Sequence, residues 1–198
     1  MDRYTCYSEL RRHEKEGFDY VIHLREGRSG IAVIAVHGGG IEPGTFDIAD
    51  AVAGAAHTFY AFRGIKPAGN ARLHMTSNQF DEPKGLGAAR SADTVLSIHG
   101  LEREDEIVCV GGLNENLKRK ISDSLIRAGF NAEESATLGL RGISPSNICN
   151  RGRSGKGVQL EISAGLRRRM FNHLTKRSGR LRTRLFYVFV KALQDALP

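Results

Sequence analysis

The sequence lacks the long hydrophobic runs and paired cysteines that mark several classes of protein. Its 198 residues contain nothing near the roughly 18 consecutive apolar residues of a membrane-spanning helix. Residues 1–10 contain no signal-peptide core, so we expect cytoplasmic synthesis without a leader. The three cysteines have no CxxC spacing, which argues against a disulfide framework and a cysteine zinc knuckle. Internal repeats and low-complexity tracts are absent, and we expect one domain over residues 1–198.

The net charge is close to zero in the body of the chain and is concentrated near its end. The net charge is +7, and residues 167–198 contain nine basic side chains and one acidic side chain. Such a segment can attract nucleic acid, an anionic membrane surface or a polyanionic substrate, and charge alone does not choose among them. We expect most of these side chains to be solvated, on a basic helical segment (164–198) that packs on the domain.

Strand and helix signals alternate along the whole chain. Short runs rich in β-branched residues predict strands, and apolar residues at helical spacing predict helices. The alternation predicts an α/β fold of three layers, with a central mixed β-sheet flanked by helices. The predicted strands are 19–24, 31–36, 58–62, 72–76, 94–99, 106–110 and 158–162; the predicted helices are 45–57, 114–129, 164–174 and 181–197; residues 140–157 form a predicted long loop.

Two histidines follow predicted strands and are each succeeded by glycine. His37 ends the run IAVIAV (31–36), His99 ends TVLSI (94–98), and Glu42 lies at the entrance of the next predicted helix. Ligands of open α/β sheets bind where strands end, and catalytic zinc often takes two histidines and a carboxylate while keeping one position open. The spacing therefore makes His37, Glu42 and His99 candidate metal ligands. The alternative is a pair of unrelated histidines, hydrogen-bonded and inert.

A carboxylate lies inside the last predicted strand. In VQLEI (158–162), Glu161 points to the opposite face from Leu160 and Ile162. Burying a carboxylate without a partner is costly, so Glu161 either pairs with an arginine, faces solvent or has a chemical role. In a zinc hydrolase, a glutamate that is not a ligand takes a proton from the attacking water and passes it to the leaving nitrogen.

Six ordered blocks of the sequence resemble one family, the poly-γ-glutamate hydrolases of bacilli and their phages. The blocks are HGGGIEPGT (37–45), LHMTSNQFDEP (73–83), SIHG (97–100), VGGLN (110–114), PSNICNR (145–151) and GVQLEIS (157–163). The resemblance implies a zinc-carboxypeptidase-like fold and hydrolysis of γ-glutamyl amide bonds by water that the metal activates. It implies that His37, Glu42 and His99 hold one Zn²⁺ per chain and that Glu161 is the general base.

Other positions in these blocks are weaker site candidates. The resemblance places His74 near the site as a second catalytic candidate, although a lone histidine in such a strand is more often structural. Arg151, flanked by Asn147 and Asn150, could grip a glutamate carboxylate through bidentate hydrogen bonds. Stabilisation of the loop is an equally good interpretation of these three residues.

Three charged residues near the second block receive no catalytic role. Arg72 could polarise the scissile carbonyl, but nothing in the sequence requires it. Asp81 and Glu82 precede Pro83, where acidic residues usually form a cap or a turn. Asp81 could alternatively orient a zinc-binding imidazole.

The expected partner is an anionic polymer, poly-γ-glutamate, bound by a monomeric enzyme that is released on cell lysis and does not bind membranes. A zinc amidase acting on peptidoglycan stem peptides is the nearest alternative. A nucleic-acid-binding protein is a less favoured one, because the basic segment has few aromatic residues among its charges. Its aromatic residues, Phe186, Tyr187 and Phe189, have the pattern of a helix that packs on a core.

Overall fold

A mixed β-sheet of seven strands runs through the part of the chain that this computed structural model describes, residues 2–135, 137–176 and 180–198. The order across the sheet is β1, β3, β2, β4, β7, β5, β6; β1 and β3 are antiparallel, as are β5 and β7, and the other neighbours are parallel. These labels denote β1 (Tyr20–Arg25), β2 (Ile31–Gly39), β3 (Thr58–Gly64), β4 (Thr94–Leu101), β5 (Val108–Gly112), β6 (Ala132–Glu134) and β7 (Val158–Ser163). The carboxyl ends of β2, β4 and β7 therefore meet at one edge.

Helices cover both faces of the sheet. They are α1 (Tyr7–His13), α2 (Thr45–Ala53), α3 (Pro83–Ser91), α4 (Glu115–Arg127), α5 (Ala164–Met170) and α6 (Arg184–Ala196), with a small hairpin of β8 (Phe171–Asn172) and β9 (Leu181–Arg182) before α6. One face packs against α2, α4, α5 and α6, and the other against α1, α3 and the segment 73–80. The predicted three-layer α/β fold with a central mixed sheet is confirmed.

Among the described residues, the helices are all too short or too polar to cross a membrane.

Alternation along the central strands separates two apolar cores. Leu96 and Ile98 of β4 and Leu160 of β7 point into the core beneath α2, α4 and α6. Ile34 and Val36 of β2 point into the core on the other face. All five side chains are fully buried, so both faces of the sheet are shielded from water by packed layers.

The capping signals of the helices explain where the predictions hold and where they fail. Helix α4 is confirmed: the Asn114 side chain accepts a hydrogen bond from the amide of Leu117 at 3.1 Å, and Gly129 follows the helix with a φ of 89°. The predicted helix 45–57 is four residues too long, because Gly54 takes a φ of 52° and ends α2 at Ala53.

The predicted strand 72–76 is wrong. Residues Asn70–Leu73 form a 3₁₀ turn, and the extended residues after it bond to side chains instead of a neighbouring strand. The amide of Thr76 donates to the carboxylate of Asp2, and the carbonyl of Met75 accepts from the imidazole of His37. Side chains thus take the backbone groups that a strand would use in a ladder.

The C-terminal helices also differ from their predicted bounds. Helix α5 ends at Met170, not at residue 174, because Phe171 enters the β8–β9 hairpin and packs its ring 5.1 Å from that of Phe186. Helix α6 begins at Arg184, after that hairpin. Helices α1 and α3 and strand β6 were not predicted; α3 contains two glycines and begins at Pro83, with Glu82 as its cap. Part of the predicted basic segment, residues 177–179, lies outside the described residues.

Most basic side chains of this segment are exposed among the described residues, as expected, and several of them also pair with acidic residues of the body. Arg168 pairs with Glu104, and Arg169 places one nitrogen 2.8 Å from both carboxylate oxygens of Glu106. Arg180 lies 2.7 Å from Asp47. The segment is thus attached to the body by ion pairs as well as by the apolar face of α6.

Candidate metal centre and catalytic residues

The three predicted metal ligands lie together at the edge where β2 and β4 end. These strands are parallel neighbours, so His37 and His99 leave the sheet side by side. In β2, Ala35 pairs with Ala61 but Gly38 pairs with Arg63, which leaves one extra residue. Such a bulge re-aims side chains, and His37 here faces the same side of the sheet as Met75.

The loop after β2 brings the carboxylate of Glu42 back to both imidazoles. The Glu42 amide donates to the His37 carbonyl at 2.9 Å, which closes the turn. One carboxylate oxygen lies 2.9 Å from His37 Nδ1, and the other accepts from the amide of Gly100 at 2.7 Å. The two Nδ1 atoms are 3.1 Å apart, and His99 Nδ1 is 3.8 Å from the carboxylate. Ligand atoms of all three residues therefore converge on one small volume.

Hydrogen bonds on the far side of each ring fix which nitrogen faces this volume. His37 Nε2 lies 2.8 Å from the carbonyl of Met75, which only accepts, so this nitrogen carries a proton and the neutral ring presents an Nδ1 lone pair. His99 Nε2 contacts the hydroxyls of Ser97 at 2.8 Å and Ser77 at 3.2 Å. Partners of this kind orient metal-binding imidazoles. Two ring nitrogens and a carboxylate that face one another could hold a cation between them, and this donor set fits zinc.

Burial and the mutual interaction of His37, Glu42 and His99 shift the pKa values of these three groups in different directions. Burial lowers the pKa of His37, but the adjacent Glu42 carboxylate outweighs it, and the net pKa is raised. Burial together with the charge of His37 lowers the pKa of His99 to about 3. The pKa of Glu42 is lowered to about 2, since the attraction of His37 exceeds the effect of burial. The cluster thus stabilises one positive charge shared beside a carboxylate.

Glu161 lies on the neighbouring strand, directly beside His99. Strands β4 and β7 are parallel, with His99 and Glu161 as register partners, so both side chains are on the same face of the sheet. Glu161 is 7% exposed and accepts a hydrogen bond from Gln159 at 2.9 Å. Burial, reinforced by the charge of Glu42, raises its pKa to about 8. Of the predicted alternatives, solvent exposure is excluded.

His74 stacks on His37, with ring centroids 4.0 Å apart. Its Nδ1 lies 2.7 Å from the carboxylate of Asp2, whose other oxygen accepts from the amide of Thr76 at 2.6 Å. The structure therefore brings His74 to the candidate ligands and adds Asp2. No local pattern points to Asp2, because it lies 72 positions from His74 in the chain.

The loop candidates have different surroundings. Asn147 donates to Gln159 at 2.9 Å and accepts from the amide of Cys149, and Asn150 donates to the carbonyls of Gly142 and Ser144. Both asparagines are buried and hold the loop in shape. Arg151 is half-buried and donates from Nε to the carbonyl of Ser146 at 2.8 Å.

Among the described residues, the three charged residues without a predicted catalytic role make no hydrogen bond or ion pair with the cluster. Arg72 is exposed. Asp81 accepts from the amide of Tyr7 at 2.5 Å, not from an imidazole. Glu82 caps α3 by accepting from the amides of Lys84 and Gly85, as the predicted capping role requires.

Sequence reasoning missed the polar residues that support the cluster. Ser97 and Gln159 each lie two positions before a site residue on the same strand, so they share its face. Polar residues at that spacing inside otherwise apolar strands are a signal that could have identified them.

A family model and two proteins of Bacillus subtilis match nearly the whole chain. Residues 4–192 match the family model described as poly-gamma-glutamate hydrolase. The UPF0714 protein YndL of Bacillus subtilis (strain 168) is 34% identical over 197 residues, which are 97% of this chain and 76% of YndL. The SPbeta prophage-derived UPF0714 protein YoqZ of the same strain is 36% identical over 195 residues, 97% of this chain and 70% of YoqZ.

Solved structures extend the similarity to three dimensions. The structure of a bacteriophage poly-gamma-glutamate hydrolase superposes with a TM-score of 0.94 at 34% identity, covering 99% of this chain and 96% of that one. The zinc-free form of YndL gives a TM-score of 0.93 at 34% identity, covering 100% and 98%. N-formylglutamate amidohydrolase from Ralstonia eutropha JMP134, at 12% identity and a TM-score of 0.52, covers 90% and 95% and shares the fold alone.

Proposed function

Because the chain belongs to the poly-γ-glutamate hydrolase family, we propose that it is a zinc-dependent hydrolase that cleaves the γ-glutamyl amide bonds of poly-γ-glutamate. The observation that carries the proposal is the convergence of His37 Nδ1, His99 Nδ1 and the Glu42 carboxylate. When bound there, zinc would polarise the scissile carbonyl and acidify water at its open position. In this proposal residues 1–198 act as one catalytic domain.

Glu161 is the proposed general base. Its carboxylate lies beside the cluster, and Gln159 limits its orientation. Burial and, after it, the negative charge of Glu42 raise the pKa of Glu161, so added positive charge among the ligands would lower that pKa from about 8 toward neutrality. A group that titrates near the working pH can take a proton from water and return it to the leaving nitrogen.

His74 is the proposed second catalytic group. Asp2 engages Nδ1, and Nε2 has no hydrogen-bond partner in the part of the chain that the structure describes, so Nε2 can exchange a hydrogen bond with substrate. The stack on His37 places the ring at the cluster. An aspartate that fixes the orientation of an imidazole in this way is a common device of hydrolases.

The substrate carries a carboxylate on every repeat, and we assign its recognition to arginine. Arg151 uses only Nε within the loop, and its two terminal nitrogens have no recorded partner among the described residues. The buried Asn147 and Asn150 would contribute by shaping the loop. A second arginine, Arg63, packs over the ring of Phe46 and lines a cavity of about 400 Å³ bordered by Gly39 and Gly40, the turn between the proposed ligands.

The amidase alternative makes a different prediction about substrate. The zinc-loaded protein should release new amines from poly-γ-glutamate, and should do so faster than from purified peptidoglycan stem peptides at equal amide concentration. Faster release from the stem peptides would favour the amidase. The nucleic-acid-binding alternative is weakened by the ion pairs of the basic segment. Arg168, Arg169 and Arg180 each pair with a carboxylate of the body, which leaves fewer free cations for phosphate groups.

A further inference from the structure

A run of three arginines in α5 contains one side chain in a wholly different environment from its neighbours. The side chain of Arg167 is 1% exposed, whereas those of Arg168 and Arg169 are 48% and 61% exposed. We propose that Arg167 is a positioning residue that fixes the relative placement of the metal ligands and the base. This inference rests on the proposed function and adds a residue to it.

The guanidinium of Arg167 bonds to backbone carbonyls near three of the site residues, Glu42, His99 and Glu161. Its Nη1 donates to the carbonyl of Pro43 at 2.8 Å, the residue after Glu42. Its Nε donates to the carbonyl of Ile162 at 3.0 Å, the residue after Glu161. Its Nη2 donates to the carbonyl of Leu101 at 3.3 Å, two residues after His99. One rigid group thus connects the three segments that carry the proposed chemistry.

Packing around the guanidinium supports the same conclusion. A Cβ placed on Gly100, the residue after His99, would lie 2.7 Å from the central carbon of the guanidinium. The absence of a side chain at Gly100 therefore lets Arg167 reach the segment, whose amide also donates to Glu42. Among the described residues, Arg167 pairs with a single carboxylate, that of Glu102, which is 82% exposed and lies 3.0 Å away.

The chemistry of this contact set favours arginine over lysine. A buried cation is costly unless its donors have partners, and here each of the three guanidinium nitrogens bonds to a carbonyl of a different segment. Guanidinium is planar and presents donors in fixed directions, whereas an ammonium is a point charge on a flexible stem. Lysine could keep a positive charge at this position, but it could not hold three segments at fixed separations.

An alternative role for Arg167 is to anchor α5 to the sheet without effect on the site. Kinetic and metal-binding measurements distinguish a positioning role from an anchoring role. Only loss of positioning should slow the reaction, because misplacing a reacting group by about 1 Å can cost on the order of 100-fold in rate. We therefore expect Arg167→Lys to remain folded, to lower kcat on poly-γ-glutamate about 10- to 100-fold with little change in KM, and to weaken zinc affinity in a chelator competition.

Arg168→Lys is the matched control, because it makes the same replacement at the exposed adjacent position of the helix and should leave kcat and zinc affinity unchanged. An Arg167→Lys protein with wild-type kcat and zinc affinity would overturn the proposal. If the wild type does not cleave poly-γ-glutamate, zinc affinity still tests whether Arg167 positions the ligands. A wrong substrate can therefore be distinguished from a wrong role for Arg167.

A measurement on the wild type covers the case in which the variant does not fold. The Nε–H resonance of Arg167 should shift when zinc is added to the metal-free protein, and should shift more than the Nε–H resonances of Arg168 and Arg169. A resonance of Arg167 that zinc leaves in place would refute a connection between this guanidinium and the metal centre.

Discussion

The two faces of strands β4 and β7 have opposite compositions over the same few residues. Toward α2, α4 and α6 they present Leu96, Ile98, Leu160 and Ile162, all fully buried in one apolar core. Toward the other face they present Ser97, His99, Gln159 and Glu161, which are buried as well but are polar. Each strand therefore both stabilises the fold and holds the candidate site. Its apolar side chains fix the position of the backbone, and that backbone in turn fixes the positions of the polar side chains between them.

The largest expected effect comes from removing one of the proposed metal ligands. Replacing His37, Glu42 or His99 by alanine should reduce bound zinc from about one per chain to near zero and abolish hydrolysis, since structural and catalytic zinc sites depend on each ligand. Metal content after dialysis and amine release from poly-γ-glutamate measure both effects. His13→Ala, which removes an exposed imidazole of α1, is the control. Retention of zinc by all three variants would eliminate this cluster as the metal site.

Removing the base should separate chemistry from metal binding. Glu161→Gln is expected to keep zinc and to lose about 10² to 10⁴ in kcat, the usual contribution of a general base. Steady-state kinetics and metal analysis on the same preparation test this pair of outcomes. Turnover at the wild-type rate would remove Glu161 from the proposed role.

A substitution at Leu160, the residue before Glu161, should lower stability and leave kcat nearly unchanged. Leu160→Ala removes a fully buried side chain from the apolar face and should cost about 2–5 kcal/mol of unfolding free energy. Below the unfolding transition, kcat per folded chain should stay near the wild-type value. Urea unfolding and kinetics at low temperature check the two expectations, and an equal loss of kcat in Leu160→Ala and Glu161→Gln would contradict the division of labour between faces.

A supporting hydroxyl should have a smaller effect. Ser97 lies 2.8 Å from His99 Nε2, and Ser97→Ala should weaken zinc affinity about 10- to 100-fold, as partners of ligating imidazoles typically do. A competing chelator provides the measurement. Ser154→Ala, at an exposed turn, serves as the reference and should bind zinc as the wild type does.

The smallest expected effect concerns the attraction of an anionic polymer. KM for poly-γ-glutamate should rise several-fold from low to high salt while kcat changes little, because screening weakens contacts between arginines and carboxylates. Arg151→Gln should reduce this salt dependence. A KM that is insensitive to salt would argue against recognition by cationic side chains.

Much of the polar face could be predicted because its positions follow from local rules. A histidine after a buried strand and a glycine-rich turn to a carboxylate both indicate a site at a sheet edge, and period-two alternation places Glu161 opposite Leu160. The roles of His37, Glu42, His99 and Glu161 remain predictions that the experiments above test, but their proximity is a property of the fold.

The parts that could not be predicted depend on contacts between distant residues. Asp2 reaches His74 and the amide of Thr76 across the chain, and these contacts replace the strand expected at 72–76. Arg167 belongs to a basic run, and charge counting assigns all three of its arginines to the surface. Only the packed structure shows that one of them bonds to three carbonyls inside.

The register of β7 against β4 links refolding to function. Glu161 is the partner of His99 in this register, and a slip by one residue would place Leu160 or Ile162 there and turn every side chain of the strand to the wrong face. Hydrolysis that returns after denaturation would therefore report correct strand pairing. A sheet with the wrong register would be inactive even if it had recovered its secondary structure.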